Sequence, residues 1–133
     1  MDISEFETDL DLEKNGVWVD IGGGAQLLVA RIGNPQFQTL LRKKTKPVLR
    51  LINQNRLPDE ALEEMMIETM AETVLLDWKG LTRNGENVPF SKANALKLLK
   101  KRDFRTLVQE IANTQETFRA EAIEEDAGNS EAS

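Results

Sequence analysis

The sequence predicts a mainly α fold with a small N-terminal antiparallel β-hairpin (an α+β domain), about four helices and a disordered acidic C-terminal tail. Three observations lead there. Apolar residues recur every three or four positions through most of 34–121, the period of a helix with one buried face. Residues 16–21 instead alternate apolar and polar, the period of a half-buried strand. After Ala122 the sequence IEEDAGNSEAS offers almost nothing to bury. With 133 residues in all, one domain over 1–122 is expected, and 123–133 form the tail.

Residues 1–15 mix acids with isolated apolar residues and read as an arm with room for one short strand. In the hairpin, placed at about 16–32, Val17, Val19 and Ile21 alternate with Trp18 and Asp20, and the β-favourable run 26–32 follows the triplet Gly22, Gly23, Gly24. Asn34 and Pro35 then open a helix over about 34–53, Asn as an acceptor for free first-turn N–H groups and Pro at a position needing no donor. Pro47 lies within it, so a kink or break near Thr45 is expected. A second helix over about 58–79 starts where Asp59 and Glu60 crowd the first turn and stops at Gly80; its apolar positions wrap much of the circumference. Residues 80–90 read as a loop with a tight turn at Asn84 and Gly85. Ser91 caps a helix over about 91–101, and Asp103 caps the last, over about 103–121, whose stripe is Phe104, Leu107, Val108, Ile111, Ala112, Gln115 and Phe118.

Composition narrows the functional classes. The chain has no Cys, His or Tyr, which removes disulfides, thiolate nucleophiles and zinc–thiolate sites and leaves neutral-pH acid–base chemistry to carboxylates and lysines with strongly shifted pKa values. The expectation is a protein that is not an enzyme, with no catalytic residues, cofactor or metal. Its formal net charge of −6 opposes nonspecific attraction to nucleic acid or anionic lipid, so a protein partner is the natural expectation. No stretch has the roughly 20 apolar residues of a membrane span, and the acidic start lacks the features of a signal peptide, which places the chain in the cytoplasm where it is made.

The glycine triplet raises the question of a phosphate cradle. A Walker-type loop requires a lysine and a hydroxyl residue directly after the turn, then a helix; Ala25, Gln26 and Leu27 follow instead, and adjacent glycines break the dinucleotide pattern. The triplet is read as a hairpin turn needing positive φ. Glu60, Glu63, Glu64 and Glu68, and Glu110 with Glu116, read as polar helix faces rather than paired catalytic carboxylates. Arg42, Lys43, Lys44, Lys46, Arg50 and Arg56 form a stretch free of acids, either a solvated face or a patch for an acidic partner; Glu121, Glu124, Glu125, Asp126 and Glu131 of the tail offer one such surface, in the same chain or another copy. The methionines of the second helix are either core or part of an adaptable partner groove.

The ordered set GVWVDIGGGAQLLVARIGNPQF, ETVLLDWKGL, NGENVPFSKANALKLL and FRTLVQEI resembles the tail assembly chaperones of long-tailed bacteriophages, most closely over 74–99 and in all over about 10–120. The resemblance implies a non-virion, non-catalytic protein of the infected host's cytoplasm that forms homo-oligomers and binds the tape-measure protein, keeping it soluble and aiding tail-tube polymerisation. It further implies a frameshift-extended form that recruits the tail-tube protein. Partner-binding candidates are Met66, Met70, Val74, Phe104, Val108, Ile111 and Phe118, with electrostatic contacts from Arg42, Lys43, Lys46 and Arg50. The alternative is a small nucleic-acid-binding regulator using the basic helix 42–56, which lacks a recognisable helix-turn-helix.

Overall fold

The computed structural model of the chain describes residues 1–119. The arm forms a 3₁₀ turn at Ile3–Phe6 and a short helix, α1 (Leu10–Asn15), in place of a strand. Both start on an aspartate: Asp2 accepts from the Ser4 N–H, and Asp9 from the N–H groups of Asp11 and Leu12. The Ser4 backbone N–H, then its hydroxyl, hold the Asp2 carboxyl below the ordinary carboxylate range.

The expected hairpin is present as β1 (Val17–Gly22) and β2 (Ala25–Val29), joined through glycines with φ of 90°, 63° and 79° at Gly22, Gly23 and Gly24. It does not stand alone. A third strand, β3 (Leu75–Lys79), pairs antiparallel with β2, giving the sheet order β1-β2-β3. Central β2 buries Ala25, Leu27 and Val29 on alternate positions.

Helix α2 (Pro35–Thr45) begins as expected, with the Asn34 side chain accepting from Phe37 N–H and Pro35 in the first turn. The break expected near Thr45 is there: α2 gives way to a 3₁₀ turn at Lys46–Val48 holding Pro47, then to α3 (Leu49–Asn53). Three other expectations are corrected. The helix expected over 58–79 is α4 (Asp59–Thr73) followed by β3, because Val74, Leu75, Leu76 and Trp78 are β-favourable and find the open edge of β2. The broadly apolar circumference assigned to that helix was the sum of a helix stripe and a buried strand. Residues 80–90 contain a second, two-stranded sheet, β4 (Thr82–Arg83) with β5 (Glu86–Asn87), around Asn84 and Gly85 at φ 51° and 84°. Ser91 caps α5 (Lys92–Leu99) through Asn94 N–H. The last helix, α6 (Arg102–Asn113), has Asp103 within its first turn rather than at the cap, and ends early because Thr114 takes extended backbone; a 3₁₀ turn at Gln115–Phe118 follows. Helices outnumber the four expected, and strands extend well beyond an N-terminal hairpin. The predicted tail at 123–133 lies outside the described residues.

One core joins these elements: Leu27 and Val29 of β2, Met70 of α4, Val74, Leu75, Leu99 of α5, and Val108 and Ala112 of α6 are all fully buried. Backbone bonds tie the N-terminal arm and the last described turn into it, from Asp9 N–H to Phe118 O (2.9 Å), Arg31 N–H to Glu13 O (2.8 Å) and Ile32 N–H to Ala112 O (3.1 Å).

Candidate protein-docking surfaces

The first surface is a cleft of about 610 Å³ between the β4–β5 hairpin and the α5–α6 pair. Its position follows from a few fixed contacts. Trp78 of β3 is buried, meets Phe90 edge-to-face at 4.9 Å, and donates its Nε1–H to Val88 O at 2.7 Å. Val88 N–H in turn donates to Leu81 O at 2.8 Å, and Asn94 Nδ2 to Pro89 O at 2.9 Å. The hairpin is thereby pinned beside α5. Leu81, Val88, Leu98 and Phe104, all half-buried, supply apolar lining, while Arg83, Lys97 and Lys101 are exposed around it. None of these three cations makes an ion pair among the described residues. A cleft with apolar walls and a cationic border suits an apolar side chain flanked by acids.

The second surface is the corner where α2, the Pro47 turn and α3 lead into α4. Leu49 (50 %), Leu51 (37 %) and Leu62 (43 %) are large apolar residues left exposed there. Arg42, Lys43, Lys46, Arg50 and Arg56 are exposed in the same segment, whereas Lys44 is engaged with Glu68 of α4 at 2.7 Å. The α4 side of the corner is acidic, with Asp59, Glu60 and Glu64 exposed. The break at Pro47 divides the basic stretch between two helices, so it does not form one continuous basic helix.

The residues singled out from sequence divide sharply. Met70, Val74, Val108 and Phe118 are fully buried core and offer no surface to a partner. Met66 and Ile111 are half-buried against that core. Phe104 alone of the seven lines the cleft. The four electrostatic candidates Arg42, Lys43, Lys46 and Arg50 are all exposed at the corner. Sequence reasoning did not single out Leu49, placed Leu51 on the apolar stripe of the 34–53 helix, and counted Leu62 in the apolar circumference of the next helix; the break at Pro47 separates Leu49 and Leu51 from α2. It also missed Arg83, Lys97 and Lys101, for which the available signal was the Asn84–Gly85 turn flanked by short polar–apolar runs. The glutamates read as polar faces are partly paired: Glu63 meets Arg105 at 2.8 Å and Glu68 meets Lys44; Glu72, not singled out from sequence, meets Lys92. No group of three or more potential metal ligands occurs among the described residues, and none of their helices is long and apolar enough to cross a membrane.

Residues 32–129 match the model of the YdaY prophage protein family. The chain belongs to the YdaY prophage protein family. The matched range runs from before α2 past α6 and so contains both candidate surfaces of this YdaY-family protein. Its phage origin agrees with the kind of protein that the sequence resembles. No curated protein and no solved structure matches this YdaY-family chain.

Proposed function

We propose that this prophage protein is a tail assembly chaperone that works in the host cytoplasm without covalent chemistry. Several copies bind helical stretches of the tape-measure protein, cover their apolar faces and release them as the tail tube closes; a frameshift-extended form would bring in the tail-tube protein. The observation that supports this reading is the corner at α2–α3–α4, where Leu49, Leu51 and Leu62 are exposed beside Lys43, Lys46 and Arg50. Large apolar side chains kept at the surface and bordered by charge are a feature of contact with another chain, and an amphipathic helix is a partner form that exposed leucines on helices fit. Individually weak contacts suffice, because copies held along one long partner gain avidity.

The test is co-expression with the tape-measure protein encoded by the same phage. The wild-type chain is expected to hold that protein in the soluble fraction and co-purify with it. The double variant Leu49→Asp/Leu51→Asp, at exposed positions that spare the core, is expected to leave it in the pellet while keeping its own helical circular dichroism. Equal solubilisation by the variant would overturn the corner as the docking surface, and failure of the wild type would overturn the chaperone reading.

A further inference from the structure

The cleft has a counterpart elsewhere on the same chain. In the arm, Ile3 (77 % exposed) and Phe6 (60 % exposed) are interleaved with Asp2, Glu5 and Glu7, and the 3₁₀ turn they form buries no residue. Two apolar side chains among three acids thus face solvent at one place, while an apolar cleft among three cations without an ion pair among the described residues lies open at another. The carboxylates on the elements flanking the cleft are Glu86, opposite Arg83 in the β4–β5 register, and Asp103 and Glu110 of α6; none of them lines it.

The two features sit at opposite ends of α6. The arm is held to the turn after that helix by Gln115 Nε2 donating to Glu5 O (2.8 Å) and by Asp9 N–H donating to Phe118 O (2.9 Å). The cleft is lined by Lys101 and Phe104, at its start. Twelve helical residues lie between these ends, about 18 Å of rise, so the folded arm does not occupy the cleft of its own chain.

We propose that the N-terminal arm of one copy docks in the β4–β5/α5–α6 cleft of a second copy, with Ile3 and Phe6 against Leu81, Val88, Leu98 and Phe104, and with Asp2, Glu5 and Glu7 facing Arg83, Lys97 and Lys101. Because arm and cleft are different surfaces, the contact is heterologous: a pair joined by one such contact retains one free arm and one free cleft, and association continues into a ring or an open row. The opposed charges steer the encounter and weaken as salt rises. This contact involves neither the leucine corner nor any client, so it stands or falls separately from the chaperone reading.

The test is sedimentation velocity of the full-length chain across a concentration series at low and high salt. Species beyond a dimer are expected to grow with concentration and recede with salt. The arm variant Ile3→Asp/Phe6→Asp and the rim variant Lys97→Glu/Lys101→Glu, all at exposed or cleft-border positions, are each expected to lose every species above monomer with unchanged circular dichroism. Mixed together they are expected to form a dimer and nothing larger, since the first retains an intact cleft and the second an intact arm. A wild-type chain that stays monomeric at all concentrations, which includes docking of the arm within its own chain, would overturn the proposal. So would association that survives either variant, or a mixture that yields no dimer.

Discussion

Asn34 shows how one side chain can serve three backbone groups. It is buried, its Oδ1 accepts from Phe37 N–H at 2.9 Å, and its Nδ2 donates to Arg31 O at 2.8 Å and Thr73 O at 3.0 Å. It therefore caps α2 and fastens it to the end of α4 at once. Asn34→Ala is expected to cost about 2–4 kcal/mol, a lost cap plus unsatisfied buried carbonyls, read from the urea unfolding midpoint. Asn34→Asp keeps the cap acceptor but points a charged acceptor at two carbonyls, so at neutral pH it is expected to be no more stable than the alanine variant. Gly80 makes a similar point through space alone. At φ +75° an added Cβ would overlap the Gly24 carbonyl oxygen, so Gly80→Ala is expected to destabilise by about 1–3 kcal/mol, as overpacking does, in the same measurement. Gly80 thus lets its turn approach the Gly24 backbone closely, whereas a Cβ at Gly22, Gly23 or Gly24 would meet nothing within 4 Å and the triplet is called for by its positive φ alone.

At the scale of elements, β3 decides both the fold and the cleft. Its Trp78 Nε1–H bond to Val88 O holds the β4–β5 hairpin in place, and Trp78→Phe leaves that carbonyl without its donor. A loss of about 1–3 kcal/mol in chemical denaturation is expected, together with faster amide exchange at Leu81 and Val88. What could be read from sequence followed element by element. The hairpin, the Asn34 and Ser91 caps, the interruption at Pro47 and the turn at Asn84–Gly85 were legible because each depends on a local residue chemistry. The strand after Thr73 was not, because an apolar run such as Val74, Leu75, Leu76 satisfies helix and strand periodicities alike, and the edge of β2 that selects the strand lies some fifty residues earlier. The same limit applied to the surfaces. Helical spacing located Met70, Val74, Val108 and Phe118 on apolar stripes but carries no information on which stripe faces inward, and for the same reason it did not mark Leu49 and Leu62 as exposed.

The molecule as a whole is held together by residues that reach across several elements. Arg105 on α6 donates through Nη1 to Leu99 O at the end of α5 (2.9 Å) and through Nη2 to Glu63 on α4 (2.8 Å). The Glu63 side chain is 54 % exposed, so solvent screens the ion pair and the bond to the α5 carbonyl carries most of the effect. Arg105→Ala is expected to cost about 1–3 kcal/mol of global stability, whereas Glu63→Gln is expected to stay within about 0.5 kcal/mol of wild type in thermal unfolding. The placement of the two tryptophans gives the protein an intrinsic optical readout. Trp78 is shielded and hydrogen-bonded to a residue of the cleft wall, while Trp18 is more than a third exposed beneath the Lys79 ammonium, 4.1 Å from its ring. A neutral aqueous quencher reaches the second and not the first, so the emission that survives quenching comes from Trp78, and its wavelength follows the state of the cleft with no dye attached.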